Sequence, residues 1–166
     1  MTNIEGNYKI GLEAMNPVWL LKYLNEFEKI LKTKKIKVIS VPIQSGNSRI
    51  LKLMNRFPEV EKIKNALPLL KESYKEFELA TACIAGFPSE TENEFKDTLD
   101  FIIKSQINMG LLISMSIKPG TKAEDIKPKI SSIEISKRIE FAKDYFKNHE
   151  YNTLDTEDGG IIFGIK

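Results

Sequence analysis

"SVPIQSGNSRILKLMNR", running from Ser40 to Arg56, decides how the rest of the chain is read. Its first residues continue a β-branched run, "IKVISVPI" (36–43), which is expected as a buried strand. Gln44, Ser45 and Gly46 then make a tight polar turn, and "NSRILKLMNR" follows as a short helix. A strand feeding a helix through such a turn is one βα unit. Gln44 stands out in it, because a long amide at the end of a buried strand needs hydrogen-bond partners.

Outward from this segment the same alternation repeats. "YKIGLEAM" (8–15) reads as a short strand, and "PVWLLKYLNEFEKILKT" (17–33) as one helix with Pro17 in its first turn. Beyond Arg56, "EVEKIKNALPLLKESY" is helical in pattern, with Pro68 expected to kink or end it. "FELATACIAGF" (77–87) is the next strand and "SETENEFKDTLDFIIKS" (89–105) the next helix. Ser89 precedes Glu92 by three residues, the spacing of a capping box. "MGLLISMSI" (109–117) is a fourth strand, "SIEISKRIEFAKDYFKN" (132–148) a helix, and the tail "GGIIFGIK" a final short strand. This alternation implies right-handed βαβ units, a parallel sheet and an α/β fold. Four main strands suit either a small open sheet flanked by helices or part of a barrel.

With 166 residues the chain is long enough for one domain and a sizeable core. Its 42% hydrophobic and 29% charged residues exclude a disordered chain. A formal charge of +2 spread over scattered lysines neither demands nor excludes nucleic acid. No apolar run approaches a membrane span, and "MTNIEGNYK" lacks the marks of a secretory signal, so the cytoplasm is the default location. The single Cys83 cannot form an internal disulfide or, alone, a cysteine metal site.

In parallel α/β sheets, ligands gather at the carboxyl ends of strands. Those ends hold Glu13 with Asn16, then Gln44-Ser45-Gly46, then Gly86-Phe87-Pro88 with Glu90, then Ser116 with "KPGT". All four therefore face one rim. Local rules explain much of this too, since Gly, Ser and Asn suit tight turns and helix caps. Arg49 is one of three arginines in a lysine-rich chain, and a solvated helix face would account for it. His149 lies in a polar stretch at a helix end, and Cys83, mid-strand, reads as a buried small hydrophobe.

"VPIQSGNSRILKLMNR" followed by "IAGFPSETENEFKDTLDFI" resembles the radical S-adenosylmethionine (radical SAM) enzymes, in particular the methylthiotransferases. "KPGT" (118–121) matches the family's "RPGT", and "IGLEAMNP" (10–17) fits the preceding strand. The resemblance runs from Ile10 to Lys147, and the joint order of the motifs is what makes it specific. It implies a partial (β/α) barrel, half of a TIM-like radical SAM barrel, with the carboxyl-terminal half held here. The expected organisation is a partial barrel over 1–150 and a tail over 151–166. By the same resemblance Gln44, Ser45, Arg49, Gly86 and Phe87 line an S-adenosylmethionine pocket, with Glu13 beside them.

The chain also departs from the family. The C-x3-C-x2-C loop that holds a [4Fe-4S] cluster is absent, and thiolates are the ligands such clusters need. Ser40 stands where several members carry His, Ala82 and Cys83 where many carry an acid, and Ser89 where Gly is usual. Two readings follow. One is a truncated or split radical SAM enzyme, inactive alone, whose cluster requires a partner chain carrying the amino-terminal half-barrel. The alternative is a cluster-free remnant, a binding or structural module that self-associates, as a homodimer, through sheet edges left open near "KIGL" and "LLISMSI".

Overall fold

The computed structural model describes residues 5–166; Met1–Ile4, counted above in the first unit, lie outside the described residues. In chain order the elements are β1 (Ile10–Leu12), α1 (Pro17–Lys22), α2 (Leu24–Leu31), β2 (Ile36–Ser40), α3 (Ser48–Leu53), α4 (Val60–Ser73) and β3 (Glu78–Ala85). They continue with α5 (Glu92–Lys104), β4 (Met109–Ser114), α6 (Lys122–Asp125), α7 (Ser132–Asn148), β5 (Tyr151–Asp155) and β6 (Ile161–Ile165). One sheet holds all the strands in the order β1-β2-β3-β4-β6-β5. The pairings from β1 to β4 are parallel, whereas β4–β6 and β6–β5 are antiparallel.

Two observations choose between the open sheet and the barrel. The parallel strands are added in chain order without reversing, so the sheet winds in one direction and has no topological switch point. Only one face is covered. Ile39, Leu79, Cys83, Ala85, Leu112, Ile161 and Phe163 are buried on the helix side. On the other face Leu111 (39% exposed), Ile162 (45%) and Leu154 (68%) form an open apolar row across three paired strands. An apolar concave face with helices only outside is the wall of a barrel segment.

The helices follow local chemistry with three departures from expectation. Asn16 caps α1 by accepting from Val18 N–H, with Pro17 in the first turn. The helix expected over 17–33 breaks at Tyr23, so that Leu20 before the break and Phe27 and Leu31 after it all reach the core. α4 runs on through Pro68 to Ser73, because Ile63, Ala66, Leu67 and Leu70 on its buried face hold it across the missing bond. The capping box on α5 is Thr91 with Glu94, not Ser89 with Glu92. Ser89 has φ +66° and belongs to the preceding turn, whereas a cap residue needs extended backbone.

The tail holds more than one strand. β5 and β6 form a hairpin around the turn between Asp155 and Ile161, and β6 pairs along β4. The edge expected open near "LLISMSI" is therefore covered, and the open edge on that side belongs to β5. Packing drives this: Phe163 stacks on Phe146 of α7 at 4.5 Å, and Tyr151 donates its hydroxyl to Ile107 C=O at 2.5 Å. β1, with three residues and an irregular register beside Gly11, is the other edge.

Candidate functional site

The exits of β2, β3 and β4 meet at one rim. After Ser40 the chain of β2 stays beside β3. Thr81 Oγ1 donates to Val41 C=O at 2.8 Å and accepts from Ile43 N–H at 3.3 Å. Gln44 then bridges to β3, donating to Ala82 C=O at 2.9 Å and accepting from Ile84 N–H at 2.8 Å. Its φ of +74° is left-handed, a strained conformation for a residue with a side chain. That side chain lines a rim cavity of about 280 Å³ together with Ile84, Phe87, Arg56, Thr121 and Lys122.

Of the other residues singled out from the sequence, only Phe87 lines this cavity; Glu13, Ser45, Arg49 and Gly86 do not. Ser45 is fully buried, with Oγ 3.3 Å from Thr98 Oγ1 and accepting from Asn47 N–H at 3.1 Å. Arg49 points to the outer side of the turn. Its guanidinium donates twice to Glu94, at 2.5 and 2.6 Å, and to Ser89 C=O at 2.8 Å. The Arg49 guanidinium holds the Glu94 carboxyl well below its ordinary range, at about 2. Gly86, at φ +86°, lies against Ile135 and donates its N–H to Glu90 Oε2 at 2.8 Å. Phe87 is 5% exposed and lines the cavity beside Gln44. Glu13 is exposed just past β1 and is not among the cavity residues.

Beneath Phe87 lies a buried ion pair. Glu90, whose side chain is wholly buried, accepts from Arg138 Nη1 of α7 at 2.8 Å. Burial pushes its carboxyl up to about 7 against the pull of Gly86 N–H and Arg138. Among the described residues its Oε1 has no hydrogen-bond partner. Arg138 also donates to Glu90 C=O and to Glu134, so α7 is fastened to the turn that follows β3.

The structure adds cavity residues that the sequence reading did not select: Arg56, Thr121 and Lys122. Two of them lie within motifs of the sequence, Arg56 closing "VPIQSGNSRILKLMNR" and Thr121 closing "KPGT". The lining offers two amides (Gln44 and Asn55), a hydroxyl, two cations and apolar Ile84 and Phe87, which suits part of a molecule with a carboxylate, hydroxyls and a flat ring. An iron–sulfur cluster does not fit these residues. Cys83 is fully buried on the helix side with its thiol pushed up to about 12 by burial, and no thiolate faces the rim. Among the described residues, no group of three His, Cys, Asp or Glu is placed to hold a metal ion. No helix there is long and apolar enough to cross a membrane.

Residues 6–102 match the Radical SAM superfamily. Ribosomal protein uS12 methylthiotransferase RimO of Acetivibrio thermocellus is 36% identical over 136 residues, covering 80% of this chain and 30% of that protein. The tRNA-2-methylthio-N(6)-dimethylallyladenosine synthase of Buchnera aphidicola is 30% identical over 141 residues, covering 84% of this chain and 31% of that one. The chain thus spans about 30% of the length of the curated relatives it matches. In fold it is similar to coproporphyrinogen III oxidase HemN of Escherichia coli, a radical SAM enzyme. That superposition has a TM-score of 0.76 at 18% identity and covers 95% of this chain and 35% of HemN. Winding, one-sided helix cover and motif order agree with the family match, and the chain belongs to the radical SAM superfamily as a methylthiotransferase-like partial barrel.

Proposed function

We propose that this chain supplies the carboxyl-terminal part of a radical SAM catalytic barrel and holds one side of S-adenosylmethionine in the rim cavity. The observation that carries this is the convergence of Gln44, Phe87 and Thr121, from three successive βα exits, on that one cavity. About 280 Å³ is just below the range of roughly 300–1,000 Å³ typical of small-molecule sites, in keeping with a wall shared with further structure. Gln44 would orient the ligand by its amide, Thr121 by its hydroxyl, and Arg56 or Lys122 would take a carboxylate. Phe87 and Ile84 would exclude water from one side. Reductive cleavage of S-adenosylmethionine is chemistry that a [4Fe-4S] cluster supplies, and its cysteines would have to come from other structure docked at the β1 edge. The open apolar row on the concave face supports the need for such a complement.

Calorimetric titration tests the pocket. Micromolar S-adenosylmethionine binding, weakened at least 10-fold by Gln44→Ala, is expected; silence in the wild-type chain rejects it. Co-purification then tests the complement, with a cysteine-rich partner and iron uptake after anaerobic reconstitution as the expected result.

A second reading has its own observation. Ser45, Gly46, Arg49 and Gly86 are all occupied in holding turns against α5 and α7, so their motifs serve the fold even without a ligand. A cluster-free module that self-associates through the β1 edge accounts for that. It predicts a colourless homodimer by sedimentation, with no affinity for S-adenosylmethionine.

A further inference from the structure

We propose that the free edge of β5 joins a second copy of this chain, so that two sheets run on as one across a two-fold axis at Thr153. The hydrogen bonds of the hairpin fix which groups are available. Thr156 N–H donates to Gly160 C=O at 3.0 Å, and Lys166 N–H to Glu150 C=O at 3.0 Å. Bonded and unbonded pairs alternate along an antiparallel ladder, so Asn152 and Leu154 are the residues of β5 that bond to β6. Tyr151, Thr153 and Asp155 turn their N–H and C=O groups the other way. Among the described residues, none of these groups has a hydrogen-bond partner.

That outward set is its own complement. A two-fold at Thr153 puts Thr153 opposite Thr153 of the second copy, and Tyr151 of each copy opposite Asp155 of the other. Centring the axis on Asn152 leaves Asp155 facing no strand residue, and centring it on Leu154 does the same to Tyr151. Only the Thr153 axis uses every outward group of both strands. Facing threonines are a favourable cross-strand pair. No like charges are opposed, since Glu150 meets Thr156, and Asp155 is already paired with Lys143 of its own chain at 2.5 Å.

The edge also lacks the devices that keep natural edges apart. Residues 151–155 include no lysine, arginine or proline, and no bulge interrupts the register of β5 on β6. The edge at β1 is blunted by contrast, with three residues and a register shift beside Gly11. What selects a second copy over another strand is the concave face. The apolar row of Leu111, Ile162 and Leu154 ends at this edge, with Leu154 68% exposed. Across the two-fold the row continues into the same three side chains, and the two Leu154 residues become diagonal neighbours within reach of each other. An unrelated strand would use the same backbone groups but would supply that apolar continuation only by chance.

Sedimentation velocity of the wild-type chain is expected to show a monomer–dimer equilibrium that shifts with concentration in the micromolar range. Thr153→Pro removes an N–H that β6 does not use, and proline is tolerated on an edge strand. It is expected to raise the dimer dissociation constant at least 10-fold with circular dichroism matching wild type. Thr153→Cys tests the same axis without disturbing the backbone. Facing residues of a bonded antiparallel pair lie about 5.5 Å apart at Cα, within reach of a disulfide, and the buried Cys83 does not compete. Mild oxidation is expected to give a covalent dimer from Thr153→Cys and none from Lys9→Cys, beside β1. A monomer at all concentrations, a dimer unchanged by Thr153→Pro, or cross-linking through Lys9→Cys in place of Thr153→Cys would overturn the proposal. Neither readout involves a ligand or a cluster, so the outcome is independent of how the rim cavity is read.

Discussion

Gly46 leaves room for a hydrogen and nothing larger: a Cβ there would lie 2.5 Å from Asp97 C=O and 2.6 Å from Thr98 Cα. Both neighbours are backbone, which cannot swing aside. Gly46→Ala is expected to cost about 1–3 kcal/mol, read as a lowered urea midpoint at unchanged m-value. Ser89, at φ +66°, sits where the family usually has glycine, and the angle explains the preference. Ser89→Val is accordingly expected to cost about 1–2 kcal/mol in a thermal melt, and Ser89→Gly to stay near wild type. The two glutamates of this region have opposite pH signatures. Glu94, held at about 2, stabilises the fold fully above the ordinary value of 4.5 and loses that contribution as pH falls toward 2. Because Arg49 is half exposed, the pair contributes about 1 kcal/mol or less, and Glu94→Gln should flatten the acid limb by that amount. Glu90, raised to about 7, favours the fold while protonated and loses that contribution as pH rises from 4.5 through 7. Glu90→Gln should abolish this slope between pH 5 and 8. Glu90→Ala should cost about 1–3 kcal/mol, since Arg138 loses its buried carboxylate partner while keeping Glu134 and the backbone carbonyl of residue 90.

At the scale of elements, what the sequence made legible is what short-range chemistry decides. The bounds of α7 and the existence of β2, β3 and β4 were readable from apolar spacing alone. The break at Tyr23 and the survival of α4 past Pro68 were not, because each is settled by which side chains the neighbouring elements bury. β5 is not legible because "YNTLD" has polar and charged residues on an edge that needs no apolar pattern. The capping of α5 separates the two spacings directly: Thr91→Ala should cost about 1 kcal/mol of stability in chemical denaturation, and Ser89→Ala clearly less. For the site, the rim position of Gln44 and Phe87 was legible, since strand direction alone puts them there. That Ser45 and Arg49 would turn away toward α5 was not, because the bonds to Thr98 and Glu94 span 53 and 45 residues.

Across the whole molecule, the hairpin of β5 and β6 closes one side of the core. It brings Tyr151, Ile161 and Phe163, all buried, against α7 and over Gly110. Deleting residues 150–166 is expected to expose the β4 edge together with this aromatic cluster. The truncated chain should lose its cooperative thermal transition and elute as aggregate in size-exclusion chromatography.

The reversal of strand direction at β6 gives the sheet a grain. The parallel crossovers lead from β1 to β4 and stop there, because β6 runs the other way. Growth toward closure can proceed only from β1, a three-residue ribbon that leaves most of an incoming strand's bonds to be made with its own neighbours. A complement that completes the cylinder, as proposed above, would therefore bring most of its own strand pairing with it.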